Sequence, residues 1–136
     1  MTPLYAQDMD LSGFDILVVD DVPLNLILVQ KMLARFNPGI RTAANGMLAL
    51  EAIGEHKPDL VLLDLMMPGI DGFEVLRRIR QNPETADVRV VILSALNSNE
   101  DIVQGFQLGA NDFITKPIIM EKLVNAVMTQ LQLAAK

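Results

Sequence analysis

Five short apolar runs, each followed by a longer stretch with helical spacing, constrain this chain more than any other feature. The runs are "FDILVVD" at Phe14–Asp20, "IRTAA" at Ile40–Ala44, "LVLLD" at Leu60–Asp64, "RVVILSA" at Arg89–Ala95 and "DFITK" at Asp112–Lys116. Each is too short for a helix and lacks apolar–polar alternation, the pattern of strands buried on both faces of a parallel sheet. Pro23 stands near a helix start, and Leu26, Val29, Leu33 and Phe36 follow at helical spacing. "NGMLALEAIGEH" opens a second helix at Asn45-Gly46 and carries it to His56. Phe73, Leu76 and Ile79 form the stripe of a third. Asn99 is expected to cap a fourth helix that carries Ile102 and Phe106 and ends at Gly109. A fifth shows Met120, Leu123, Val124, Val127, Met128 and Leu131 on one face.

Strands alternating with helices predict an α/β fold, a doubly wound five-stranded parallel sheet covered on both sides. The first, third and fourth runs are the most apolar and should be central. The second and fifth carry Arg41, Thr42, Asp112 and Thr115 and suit the edges. The resulting order is 2-1-3-4-5. Ligands of such sheets sit at the carboxyl ends of the strands, beside the switch point between strands one and three.

The chain's 136 residues suit one domain. We expect residues 1–12 to form an N-terminal arm and residues 13–136 the domain. No apolar run approaches the ~20 residues that span a bilayer, so no membrane contact is expected. The first residues have neither the cationic nor the apolar region of a signal peptide. The absence of cysteine excludes disulfides, thiol catalysis and cysteine zinc sites, and suits the cytoplasm. A single histidine, His56, excludes a histidine metal cluster. The net charge of -6 argues against direct nucleic-acid contact.

Asp20 and Asp21 end the first strand and Asp64 ends the third, so three carboxylates should meet at one sheet edge and face solvent through loops. Ser94 ends the fourth strand and Lys116 the fifth, in the same crevice. Carboxylates held together repel one another unless a cation joins them. Hard oxygen donors alone select Mg²⁺ or Mn²⁺. A lysine and a hydroxyl beside that cation make a site for a phosphoryl group, and a carboxylate can be its acceptor. Asp64, the lone acid on the central strand, is the natural nucleophile.

These residues resemble the receiver domain of two-component response regulators, the CheY-like superfamily. The likeness lies in "VVDD" with Asn25 four residues after Asp21, in "LLDLMMPGIDG", in "ILSA" and in "GANDFITKP". It runs from about Phe14 to the last helix. The resemblance implies a flavodoxin-like (βα)5 fold, whose sheet order in chemotaxis receivers is also 2-1-3-4-5. It implies that Asp64 is the phosphoacceptor, that Asp21 ligates Mg²⁺ with Asp20 bonded to metal waters, and that the Met66 backbone carbonyl is a further ligand. Ser94 and Lys116 would each hold a phosphoryl oxygen. Phe113 would be the switch aromatic, the Lys116–Pro117 bond would be cis, and Asp71-Gly72 would begin the third helix.

The implied partners are a sensor histidine kinase or a histidine phosphotransfer protein, and a downstream protein or fused output domain. The implied chain is a signalling phosphoacceptor rather than an enzyme on other substrates. Its output face would comprise the fourth helix, fifth strand and fifth helix, where Ile118, Ile119 and Met120 lie near Phe113 in sequence. Few charges mark the fifth helix, so a phosphorylation-dependent dimer, if it forms, is not expected to rest on dense salt bridges. In receivers the residues two after the phosphoacceptor and two after the hydroxyl flank the path of water, here Met66 and Leu96. Both are apolar, so the phosphoryl group should leave slowly, while the small Ala95 lets a donor in. A dehalogenase-like phosphatase would need an acid at Met66. A flavodoxin-like flavin binder would need a glycine-rich loop in place of Asp21-Val22-Pro23.

Overall fold

The computed structural model describes residues 10–134 of the chain. The strands are β1 (Asp15–Val19), β2 (Gly39–Ala43), β3 (Leu60–Leu63), β4 (Arg89–Ser94) and β5 (Asp112–Thr115). The helices are α1 (Pro23–Leu33), α2 (Gly46–Glu55), α3 (Gly72–Gln81), α4 (Asn99–Gln107) and α5 (Met120–Ala134), with a 3-10 turn at Ala34–Phe36. All strand pairs are parallel, in the order β2-β1-β3-β4-β5.

The missing alternation now has its physical reason. Ile16, Val18, Leu60, Leu62, Val91 and Leu93 point to one face, against Val29 and Leu33 of α1 and Leu123 and Val127 of α5. Leu17, Val19, Val61, Leu63, Val90 and Ile92 point to the other, against Ala49 and Ile53 of α2 and Val75, Leu76 and Ile79 of α3. Both faces of β1, β3 and β4 are core, so their inner positions are apolar. The same expectation is corrected for the edge strands β2 and β5, which are only partly buried and so admit Arg41, Thr42, Asp112 and Thr115.

Several expectations need correction. The cap of α4 is Ser98, whose hydroxyl accepts from the Asp101 N–H at 3.1 Å, and Asn99 is the first helical residue. Both residue types cap well, and only the extended backbone of Ser98 decides between them. The helix ends at Gln107, and Gly109 follows with φ +106°. Phe106 is exposed and Ile102 half-buried. In α3, Val75 is buried and Phe73 only partly so. In α5, Met120 stands exposed while Leu123, Val124, Val127, Met128 and Leu131 are core. Leu11, counted in the arm, is buried, and its N–H donates to the Phe36 carbonyl at 2.7 Å. Residues 1–9 of the arm lie outside the described residues.

Candidate functional site

Asp20 and Asp64 each stand one residue past a strand, yet their backbones continue the ladder. Asp20 N–H donates to the Ala43 carbonyl at 3.1 Å, and Asp64 N–H to the Val19 carbonyl at 3.0 Å. This fixes both carboxylates at the switch point. Oxygens of Asp20, Asp21 and Asp64 lie within 4.8 Å of one another. The expectation that all three face solvent is corrected: Asp20 and Asp64 are sunk below the surface, and Asp21 is the open one. Fixed donors replace water for the two buried acids. Val22 N–H donates to Asp20 Oδ1 at 2.9 Å, and Met66 N–H to Asp64 Oδ1 at 3.3 Å.

Lys116 closes the pocket from β5. Its Nζ lies 2.9 Å from Asp20 Oδ2 and 3.7 Å from Asp64 Oδ2. Its own N–H donates to the Ser94 carbonyl at 2.8 Å, which ties the two strand ends together. The Lys116–Pro117 bond is cis. Ser94 is fully buried, and its hydroxyl accepts from Leu96 N–H at 3.1 Å. Burial pushes the Asp64 carboxyl above its ordinary pKa; Asp20 and Asp21 act the same way, while Lys116 and the Met66 N–H oppose them. Three acids against one lysine leave negative charge uncompensated, and the donors are all hard oxygens. That donor set fits Mg²⁺ or Mn²⁺.

The loop from β3 to α3 is held by a close approach. Gly72 N–H donates to the Leu65 carbonyl at 3.0 Å. A Cβ on Gly72 would stand 2.7 Å from Leu65 Cα and closer still to the Asp64 carbonyl oxygen. Asp71 caps α3 through the Glu74 N–H at 2.9 Å. Met66 is 54% exposed, and it lines one hollow with Leu96, Met67 and Phe73. Ala95 is exposed at the rim. Phe113 is half-buried on β5, with its ring against α4. Ile118, expected on the output face, packs partly into the α1–α5 core; Ile119 and Met120 are exposed.

Two features escaped the sequence reading. Leu24, Ile27 and Leu28 expose an apolar row on α1 beside the acids, with Leu24 60% exposed. The signal was present: "PLNLILVQKML" is apolar on more than one face. Arg80 reaches from α3 to the carbonyls of Val88, at 2.6 Å, and Gly109, at 2.8 Å, and to Asn111 Oδ1 at 3.0 Å.

The family model described as the response regulator receiver domain matches residues 16–128, and the chain belongs to that family. It is 41% identical over 123 residues to a probable cyclic di-GMP phosphodiesterase of Vibrio cholerae, covering 90% of this chain and 28% of that one. It is 44% identical over 103 residues to the response regulator PleD of Caulobacter vibrioides, covering 76% of this chain and 23% of PleD. The chain thus spans about a quarter of these two curated relatives. A putative response regulator from Chloroflexus aurantiacus has the same fold, with TM-score 0.83, 33% identity and coverage of 88% and 98% of the two chains. The chain is therefore a receiver of two-component signalling. No described helix is long and apolar enough to cross a membrane.

Proposed function

We propose that this receiver takes a phosphoryl group on Asp64 from a phosphohistidine and passes the signal on through α4, β5 and α5. The clustering of three carboxylates within 4.8 Å, with Lys116 between Asp20 and Asp64, carries the proposal. Asp64 attacks phosphorus in line, a P–O bond forms as the P–N bond breaks, and the electron pair returns to the donor's imidazole nitrogen. Asp21, Asp20, Asp64 and the Met66 carbonyl would hold Mg²⁺, which supplies charge neutralisation on the phosphoryl oxygens. Lys116 would move from Asp20 toward one of those oxygens, and Ser94 would turn from Leu96 N–H toward another. Phe113, two residues before the Ser94-paired Thr115, would follow Ser94. The donor is a histidine kinase or a histidine phosphotransfer protein of the cytoplasm, docking on the exposed row of α1. The recipient is a separate protein or a fused output domain.

Incubation with Mg²⁺ and acetyl phosphate should add one phosphoryl group per chain by intact mass. Asp64→Asn should abolish it, and Asp21→Asn should slow it. Loading that persists in Asp64→Asn, or that needs no divalent cation, contradicts the assignment.

A further inference from the structure

Gly46, the first residue of α2, does not share the positive φ of Gly13, Gly69 and Gly109. Glycine is also a poor helix former, so backbone conformation gives no reason for it there. Space does. A Cβ on Gly46 would stand 2.5 Å from Ile70 Cγ1, 2.9 Å from Ile70 Cδ1 and 2.8 Å from Val75 Cγ2. Gly46 is buried, and Ile70, in the loop between β3 and α3, packs onto this bare start of α2.

The contact falls where that loop is otherwise least held. At one end, Asp64 N–H bonds to the Val19 carbonyl and Met66 N–H to Asp64 Oδ1. At the other, Gly72 N–H bonds to the Leu65 carbonyl and Asp71 caps α3. Between them, no hydrogen bond joins the backbone from Met67 to Ile70 to another described residue. Met66, Pro68 and Gly69 are exposed, and Gly69 turns the chain at φ +80° just before Ile70. The middle of the loop is therefore held down by the side chains of Met67 and Ile70.

Gly46 is tied to the acids through the sheet. Asn45 caps α2, its Oδ1 accepting from Leu48 N–H at 2.8 Å. Two residues earlier β2 ends at Ala43, whose carbonyl takes the Asp20 N–H at 3.1 Å. The strand end that fixes Asp20 thus also fixes the seat of Ile70.

We propose that Gly46 and Ile70 are positioning residues for the cation. The missing side chain at Gly46 lets Ile70 seat, and that seat sets the distance between the acids after β1 and the Met66 carbonyl. The proposal rests on the reading of the cation site above. Mg²⁺ demands near-ideal octahedral geometry, so a loop held only at its ends would bind it poorly.

The test is Mg²⁺ titration by calorimetry, with amide NMR, on the whole chain without a phosphodonor. Wild type is compared with Gly46→Ala, Ile70→Ala, the double variant and Ile53→Val. In Gly46→Ala the added methyl should lift Ile70, shift the metal-free amides of Met66, Met67 and Gly69, and raise the Mg²⁺ dissociation constant ~10-fold or more. Ile70→Ala should weaken Mg²⁺ by releasing the loop. It removes atoms rather than crowding them, so it carries the test should Gly46→Ala not fold. In the double variant the atoms of Ile70 are gone and Val75 is met equally in both backgrounds. Gly46→Ala should then add little, which makes the pair non-additive. Ile53→Val thins the core under α2 and lowers Tm, but should leave the Mg²⁺ dissociation constant unchanged. Unchanged Mg²⁺ affinity in Gly46→Ala or Ile70→Ala, additive losses in the double variant, or equal weakening in Ile53→Val overturns the proposal. A wild type that binds no Mg²⁺ overturns the reading of the acids instead, and the metal-free shifts in Gly46→Ala still decide whether the loop rides on Gly46.

Discussion

At the scale of single residues, the chemistry turns on how Asp64 is kept. Burial, with Asp20 and Asp21 adding to it, lifts its pKa, so the fold prefers the protonated acid. That preference stabilises the fold fully below the ordinary carboxylate range, about pH 4, and is lost as pH rises through the raised value. At pH 7 the ionised Asp64 therefore costs stability. Asp64→Asn should raise Tm by a few degrees at pH 7, and thermal melts across pH should show the gain shrinking below about pH 4. Mg²⁺ should stabilise the wild type by about 1.4 kcal/mol when it is at tenfold its dissociation constant, and Asp64→Asn much less. Equal melting of the two proteins at every pH contradicts this electrostatic account. Met66 and Leu96 line one hollow beside the loop that carries Asp64. Neither can orient water, so Met66→Asn with Leu96→Glu should speed loss of the aspartyl phosphate ~10²-fold. The check is decay of acid-labile phosphate after the donor is removed.

At the scale of elements, the sequence revealed most where one physical demand acts alone. Strands buried on both faces must be apolar, so β1, β3 and β4 were legible, and the acids that follow β1 and β3 stood out for the same reason. β2 and β5, half-exposed at the edges, were legible from their place between helices. Where two residue types satisfy the same demand, sequence could not decide, as with Ser98 and Asn99 at the α4 cap. Arg80 reads as a solvated charge on α3, because its acceptors belong to segments near Val88 and Gly109 that only the fold brings close. Leu11 was hidden in a polar start for a like reason: its partner is the carbonyl of Phe36. Gly72 gave no sign of its crowding, because the atoms that a Cβ would meet belong to Asp64 and Leu65. Those atoms are backbone and cannot yield, so Gly72→Ala should destabilise by about 3 kcal/mol in denaturant unfolding and should slow phosphorylation as well. The α1 row makes a separable claim. Leu24→Asp with Ile27→Asp should cut transfer from a phosphorylated histidine protein at least ~10-fold, since buried interface anchors cost 2 kcal/mol or more when lost. Loading from acetyl phosphate, which needs no docking surface, should be unchanged in the same variant.

At the scale of the whole molecule, the sheet order brings β1, β3, β4 and β5 together at one edge, and each contributes part of one pocket. Asp20 and Asp21 follow β1, Asp64 follows β3, Ser94 ends β4 and Lys116 follows β5. Helices cover both faces of the sheet, and α4 buries the least of them, Gly105 alone. The central claim is that Asp64 alone accepts the group. Borohydride reduces an aspartyl phosphate to homoserine, which marks the acceptor permanently in the chain. After loading with acetyl phosphate and Mg²⁺, reduction and peptide sequencing by mass spectrometry should find homoserine at position 64 and nowhere else. Homoserine at position 20 or 21, or a loaded chain with position 64 unchanged, would contradict the account.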